Sequence, residues 1–176
     1  MKRCVAFFLV LICILSVSAC RKTTLARTVE DVPEDFSFAL TWGNSAYHSS
    51  SYDSQTGTLI KVLDPDVDKP EDYVGSYHLS DDEKVYFYNL IARLDWESYP
   101  DQYDPHHDVI PPQETMSLIL TIRCNGVEKT IRAEGIAPSY EAFDKKGQDF
   151  LSVCEMIRER LTATDEWAAL PTIHYL

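Results

Sequence analysis

From Phe36 the chain alternates large apolar with small or polar residues through Phe36-Ser37-Phe38-Ala39-Leu40-Thr41-Trp42. Period two of this kind predicts a half-buried strand. Gly43 and Asn44 end it, and residues 45–56, rich in Ser, Tyr and Asp, read as a loop. Thr58-Leu59-Ile60-Lys61-Val62 predicts a second short strand, and residues 64–71, broken by Pro65 and Pro70, an exposed acidic excursion. Residues 73–79 predict a third strand, with Tyr73, Gly75, Tyr77 and Leu79 on one side.

The period then changes. Ser80 followed three residues on by Glu83 is a capping box, in which each side chain satisfies a free amide of the first helical turn. Phe87, Leu90, Ile91 and Leu94 fall at i, i+3, i+4 and i+7, which gives a helix with one apolar face ending near Asp95. Residues 96–112, WESYPDQYDPHHDVIPP, contain four prolines and predict a long surface loop.

The clearest element is the pair of runs 116–124 and 127–133 around Asn125-Gly126, the strongest short signal for a two-residue hairpin. Counting outward pairs Cys124 with Val127, Arg123 with Glu128, Thr121 with Thr130 and Leu120 with Ile131. One face then carries Leu118, Leu120, Ile122, Cys124, Val127 and Ile131, suited to a core; the other carries Arg-Glu and Thr-Thr pairs. Residues 141–161 predict a long amphipathic helix with Phe143, Phe150, Cys154, Ile157 and Leu161 along one stripe and Gly147 weakening its first part. Thr164-Asp165-Glu166 begins a short capped turn. The order β-β-β-α-β-β-α implies an α+β fold: an antiparallel sheet of about five strands with two helices packed on one face, forming a single domain over residues 36–176.

What precedes residue 36 changes the picture most. Lys2 and Arg3 lead into an almost wholly apolar run, residues 4–19, too short for a spanning helix of about 20 residues and suited to a secretory signal. It ends at Val17-Ser18-Ala19-Cys20, which resembles the bacterial lipobox. That resemblance implies a signal peptide over residues 1–19 and a diacylglycerol thioether, with further acylation such as palmitate, on Cys20. Several acyl chains, at roughly 0.8 kcal/mol per buried methylene, hold a protein to a bilayer far better than one. Residues 20–35 then form the lipidated cysteine and a flexible polar tether, whose 15 residues after Cys20 reach roughly 50 Å when extended.

The formal charge of −12 includes Lys2 and Arg3, so loss of the leader leaves −14. Such a surface suits neither nucleic acid nor anionic headgroups. Of five cysteines, Cys4 and Cys13 lie in the leader and Cys20 is the acylation site. Cys124 and Cys154 remain, either as a disulfide, which exported proteins favour, or as two buried thiols.

The chemistry of the rest is sparse. Asp104, His106, His107 and Asp108 offer imidazoles and carboxylates for a divalent ion, the basis of a metal-assisted envelope enzyme. Adjacent histidines tend to diverge and no HExxH spacing exists, so a solvated loop is the simpler reading of these residues. No GxSxG or SxxK serine motif is present, and no catalytic residue is assigned. Trp96, Tyr99, Tyr103, Tyr47 and Tyr52 either line a binding surface or cover the edge of the core.

Tyr52-Asp53-Ser54-Gln55-Thr56-Gly57-Thr58-Leu59, Tyr99-Pro100-Asp101-Gln102-Tyr103-Asp104-Pro105, Asn125-Gly126-Val127-Glu128-Lys129-Thr130-Ile131 and Thr164-Asp165-Glu166-Trp167-Ala168-Ala169-Leu170-Pro171 give the chain its likeness. From about residue 36 to 171 it resembles uncharacterised small lipoproteins of Gram-positive bacteria. The resemblance implies a lipoprotein domain and transfers no catalytic residue. The expectation is a binding or interaction module rather than an enzyme, without cofactor. It is lipid-anchored on the extracytoplasmic face of the cell membrane, with a protein or envelope component as partner and no nucleic acid.

Overall fold

The computed structural model describes residues 32–44, 49–63, 69–107, 115–137 and 142–172. The leader, Cys20, Tyr47 and Asp108 lie outside the described residues. Six strands are described: β1 (Ser37–Gly43), β2 (Ser49–Asp53), β3 (Thr58–Leu63), β4 (Val74–Ser76), β5 (Met116–Cys124) and β6 (Val127–Ile136). They form one antiparallel sheet in the order β4-β3-β2-β1-β5-β6. With helices α1 (Asp81–Ile91), α2 (Lys145–Thr162) and α3 (Asp165–Ala169), the class is α+β.

The expected count of five strands and two helices is corrected to six and three. The added strand, β2, lies inside residues read as a loop. Ser49, Ser50 and Ser51 carry little strand preference of their own. β2 is held instead by pairing with β1 and β3 and by burial of Tyr52, whose hydroxyl donates to the Tyr77 carbonyl at 3.1 Å. The added helix, α3, is the expected capped turn, with Thr164 Oγ1 accepting the Trp167 amide at 3.2 Å.

Local signals determined the hairpin and α1. Asn125 and Gly126 both have positive φ, and the β5–β6 register is the one counted outward from them. Thr121 and Thr130 share a hydrogen bond of 2.9 Å, and Arg123 Nε donates to Glu128 at 2.6 Å. Val127 does not join the core; it is 44% exposed because the sheet ends beside it at the turn. On α1, the Ser80 amide donates to Glu83 at 3.1 Å, completing the capping box, and Phe87, Leu90 and Ile91 are buried. Leu94, beyond the helix end, is buried too.

The core lies between the apolar face of the sheet and helices α1 and α2, with Phe38, Leu120, Ile122, Phe87, Phe150 and Ile157 fully enclosed. Cys124 and Cys154 are both buried in it and are not joined as a disulfide. Phe143 is corrected from the core stripe: α2 starts only at Lys145, with Asp144 as its cap, and Phe143 is 72% exposed. At the other end of the sheet Asp35, within the segment read as tether, accepts the Asn125 and Gly126 amides of the hairpin tip.

Candidate functional site

The residues after α1 do not run over the surface as a free loop. Trp96–Ser98 forms a 3-10 turn, and Tyr99 is 3% exposed, packed on Phe150 and donating its hydroxyl to the Lys146 carbonyl at 2.9 Å. Next, Gln102 bridges in parallel to Arg132 of β6: the Arg132 amide donates to the Asp101 carbonyl and the Tyr103 amide to the Arg132 carbonyl, both at 2.8 Å. This short pairing covers part of the exposed edge of the sheet, which edge strands otherwise leave open to other chains. Because the pairing is parallel, the loop runs on toward the Ile136 end of β6, away from the hairpin tip.

The side chains then settle on the amino end of α2. Pro105 lies against Gly147, where an added Cβ would approach the Pro105 carbonyl oxygen to 3.2 Å. The Pro105 oxygen accepts the Phe143 amide at 2.9 Å. Asp144 caps α2 by accepting the Gly147 amide at 2.8 Å. His107, with φ of 54°, lays its ring 4.4 Å from that of Phe143 and its Nε2 3.7 Å from Asp144 Oδ2. Left-handed backbone is uncommon outside glycine, so the turn at His107 is held by these contacts against an intrinsic preference.

Electrostatics tie down the neighbours. Lys129 donates to Asp101 at 2.5 Å, and that hydrogen bond holds the Asp101 carboxyl below its usual range. Burial, with the charges of Asp144 and Asp104 behind it, pushes the Tyr103 phenol up to about 12. The Tyr103 hydroxyl is buried and makes no hydrogen bond among the described residues.

The expected metal candidates diverge. Asp104 Oδ1 accepts the His106 amide at 2.8 Å, His106 turns inward and is 5% exposed, and His107 faces Phe143. Among the described residues no group of three or more His, Cys, Asp or Glu is placed to hold an ion. Of the aromatic candidates, Tyr52 and Tyr99 belong to the core, and Trp96 and Tyr103 pack against it. The exposed aromatic of this region is Phe143, which the sequence reading placed inside. Asp144 was the available signal: an N-cap aspartate at that position starts the helix one residue later and leaves Phe143 outside.

A groove of about 490 Å³ lies at the opposite end, between Glu34, Phe36, Gln55, Lys84, Arg123 and Val127. Within it Arg123 Nε is paired with Glu128 at 2.6 Å, while Arg123 Nη1 stands 4.0 Å from Asp53 and makes no hydrogen bond among the described residues.

No family model matches the chain, and no curated protein or solved structure matches it either. No helix among the described residues is long and apolar enough to cross a membrane.

Proposed function

We propose that this chain is a lipid-anchored binding module on the extracytoplasmic face of the cell membrane, attached through Cys20 and contacting a protein or envelope component rather than nucleic acid. The observation that carries the anchor is Val17-Ser18-Ala19-Cys20 at the end of a basic-then-apolar leader. Two features support the binding role. Asp35 meets the hairpin tip at one end of the sheet, whereas the 99–107 loop and Phe143 gather toward the Ile136 end of β6, away from the point where the tether joins the domain. The 99–107 loop is also pinned by backbone pairing to β6, and connecting segments held on a rigid scaffold are where binding residues concentrate.

Anchoring is tested with Cys20→Ala. The variant is expected in the soluble fraction and without label from radioactive palmitate; retention in the membrane fraction would overturn the lipid anchor. Binding is tested by cross-linking the full chain in its own cells with an amine-reactive reagent. A discrete adduct with another protein or envelope component supports the module, and the absence of any adduct overturns it.

A further inference from the structure

We infer that the groove at the hairpin tip seats the end of this chain's own tether, with Val29 on its apolar wall and the Glu30 and Asp31 carboxylates beside Lys84 and Arg123. Seating shortens the reach of the anchor. With residues 29–35 held to the domain, residues 21–28 extend roughly 27 Å, against roughly 50 Å for the whole tether. The seat goes beyond the binding-module reading and does not depend on it; only the consequence for reach rests on lipid at Cys20.

The way the chain enters the domain carries it. Glu34 and Asp35 belong to the wall of the groove, so Val32 and Pro33 stand at its rim. The Phe36 amide donates to the Pro33 carbonyl at 3.0 Å, closing a four-residue turn. Such a turn reverses the chain, so at Pro33 it points back beside the domain rather than off the end of β1. Val32 and Pro33 are accordingly half-buried. The three residues before Val32 span roughly 10 Å when extended, enough to cross a groove of about 490 Å³.

The groove has room for acceptors and an apolar side chain. Phe36, half-buried, and Val127, 44% exposed, give it an apolar wall. Arg123 Nη1 is buried without a hydrogen bond among the described residues, and orphaned donors of this kind are rare in folded proteins. Lys84 has only Asp81 at 3.9 Å, and both side chains are more than half exposed, a weak pairing. Of the acids in the wall, Asp35 is taken up by the Asn125 and Gly126 amides and Glu128 by Arg123 Nε, which leaves Glu34 against two cations. The sequence immediately before Val32 is Val29-Glu30-Asp31, one apolar residue and two carboxylates. Because that segment is joined to the rim, its effective concentration is of millimolar order, which favours it over a separate molecule of the same chemistry.

The test places the photo-cross-linker p-benzoylphenylalanine at position 29 of the full chain, purified from its own cells in detergent. The expected adduct is intramolecular and maps to the tryptic peptide of residues 124–129, which contains Val127. Trypsin applied to the native wild type should cut after Arg27 slowly relative to Lys22, because the residues following Arg27 are seated. Lys84→Glu, at an exposed position of α1, should raise that ratio roughly fivefold, and Lys84→Gln by less. Cys20→Ala should leave both the adduct and the ratio unchanged, which separates the seat from the anchor. An adduct of position 29 with another protein or a second copy overturns the inference, as does no adduct at all. So does a ratio that Lys84→Glu leaves unchanged, since the cations of the groove would then hold nothing.

Discussion

Asp35 holds the hairpin tip from ninety residues away: one carboxylate oxygen takes the Asn125 amide at 2.9 Å and the other the Gly126 amide at 2.5 Å. These two bonds, Gly126 first, keep the Asp35 carboxyl below its ordinary 3.8. A depressed folded-state pKa means that the unfolded chain binds the proton more readily, so the contribution is present above that ordinary value and lost as pH falls through the folded one. Asp35→Asn removes the charge but keeps the shape. The gap in urea midpoint between wild type and Asp35→Asn should be full above about pH 4 and shrink below it. A gap that stays constant down to pH 2 would show that the carboxylate contributes nothing.

Gly57 sits under the imidazole of His78. Its φ is +73°, and an added Cβ would lie 2.5 Å from two atoms of the His78 ring. Gly57→Ala therefore meets backbone strain and a clash at once, with an expected cost of about 1–3 kcal/mol. Adding His78→Ala removes the clash but not the strain, so part of the loss should return. Chemical denaturation of the two single variants and the double variant measures the recovered share; no recovery would mean the ring moves aside without cost.

Cys154 is fully buried on α2, and burial pushes its thiol well above the ordinary range. Because the thiolate is the reactive form, a disulfide-exchange reagent at pH 8 should label Cys154 only after denaturant is added. The mass of the protein purified under oxidising conditions should be the same with and without reductant, since the structure does not join Cys124 to Cys154. A two-dalton gain on reduction would identify a bridge. Cys154→Ser puts a hydroxyl where no water reaches and should cost about 1–3 kcal/mol.

What the sequence made legible was local. Asn125-Gly126 specifies its own turn, and the register of β5 against β6 follows from counting; Ser80 and Glu83 cap α1 within one helical turn. What it hid depends on distant partners. β2 is three serines, Tyr52 and Asp53, and becomes a strand only because β1 and β3 stand on either side. The candidate site hid for the same reason. Tyr99 is buried through a hydrogen bond to Lys146 and a ring contact with Phe150, and Gln102 pairs with Arg132, all distant in the chain. Helical periodicity counted Phe143 as core because it takes no account of where Asp144 caps the helix.

Gly147 tests whether the loop and the amino end of α2 are one unit. In an exposed helix, alanine would improve on glycine by about 1 kcal/mol. Here the added Cβ would come within 3.0 Å of Ala142 Cβ and 3.2 Å of the Pro105 oxygen, the same oxygen that accepts the Phe143 amide. Both neighbours belong to segments already pinned, so they cannot retreat freely. Overpacking of this kind costs about 1–3 kcal/mol, enough to cancel the propensity gain and exceed it. Gly147→Ala should therefore lower the melting temperature and shift the amide and ring resonances of His107 and Phe143, with those of the hairpin tip unmoved. A stabilised variant with unchanged His107 and Phe143 signals would mean that Pro105 gives way easily and that the surface around Phe143 is not rigid.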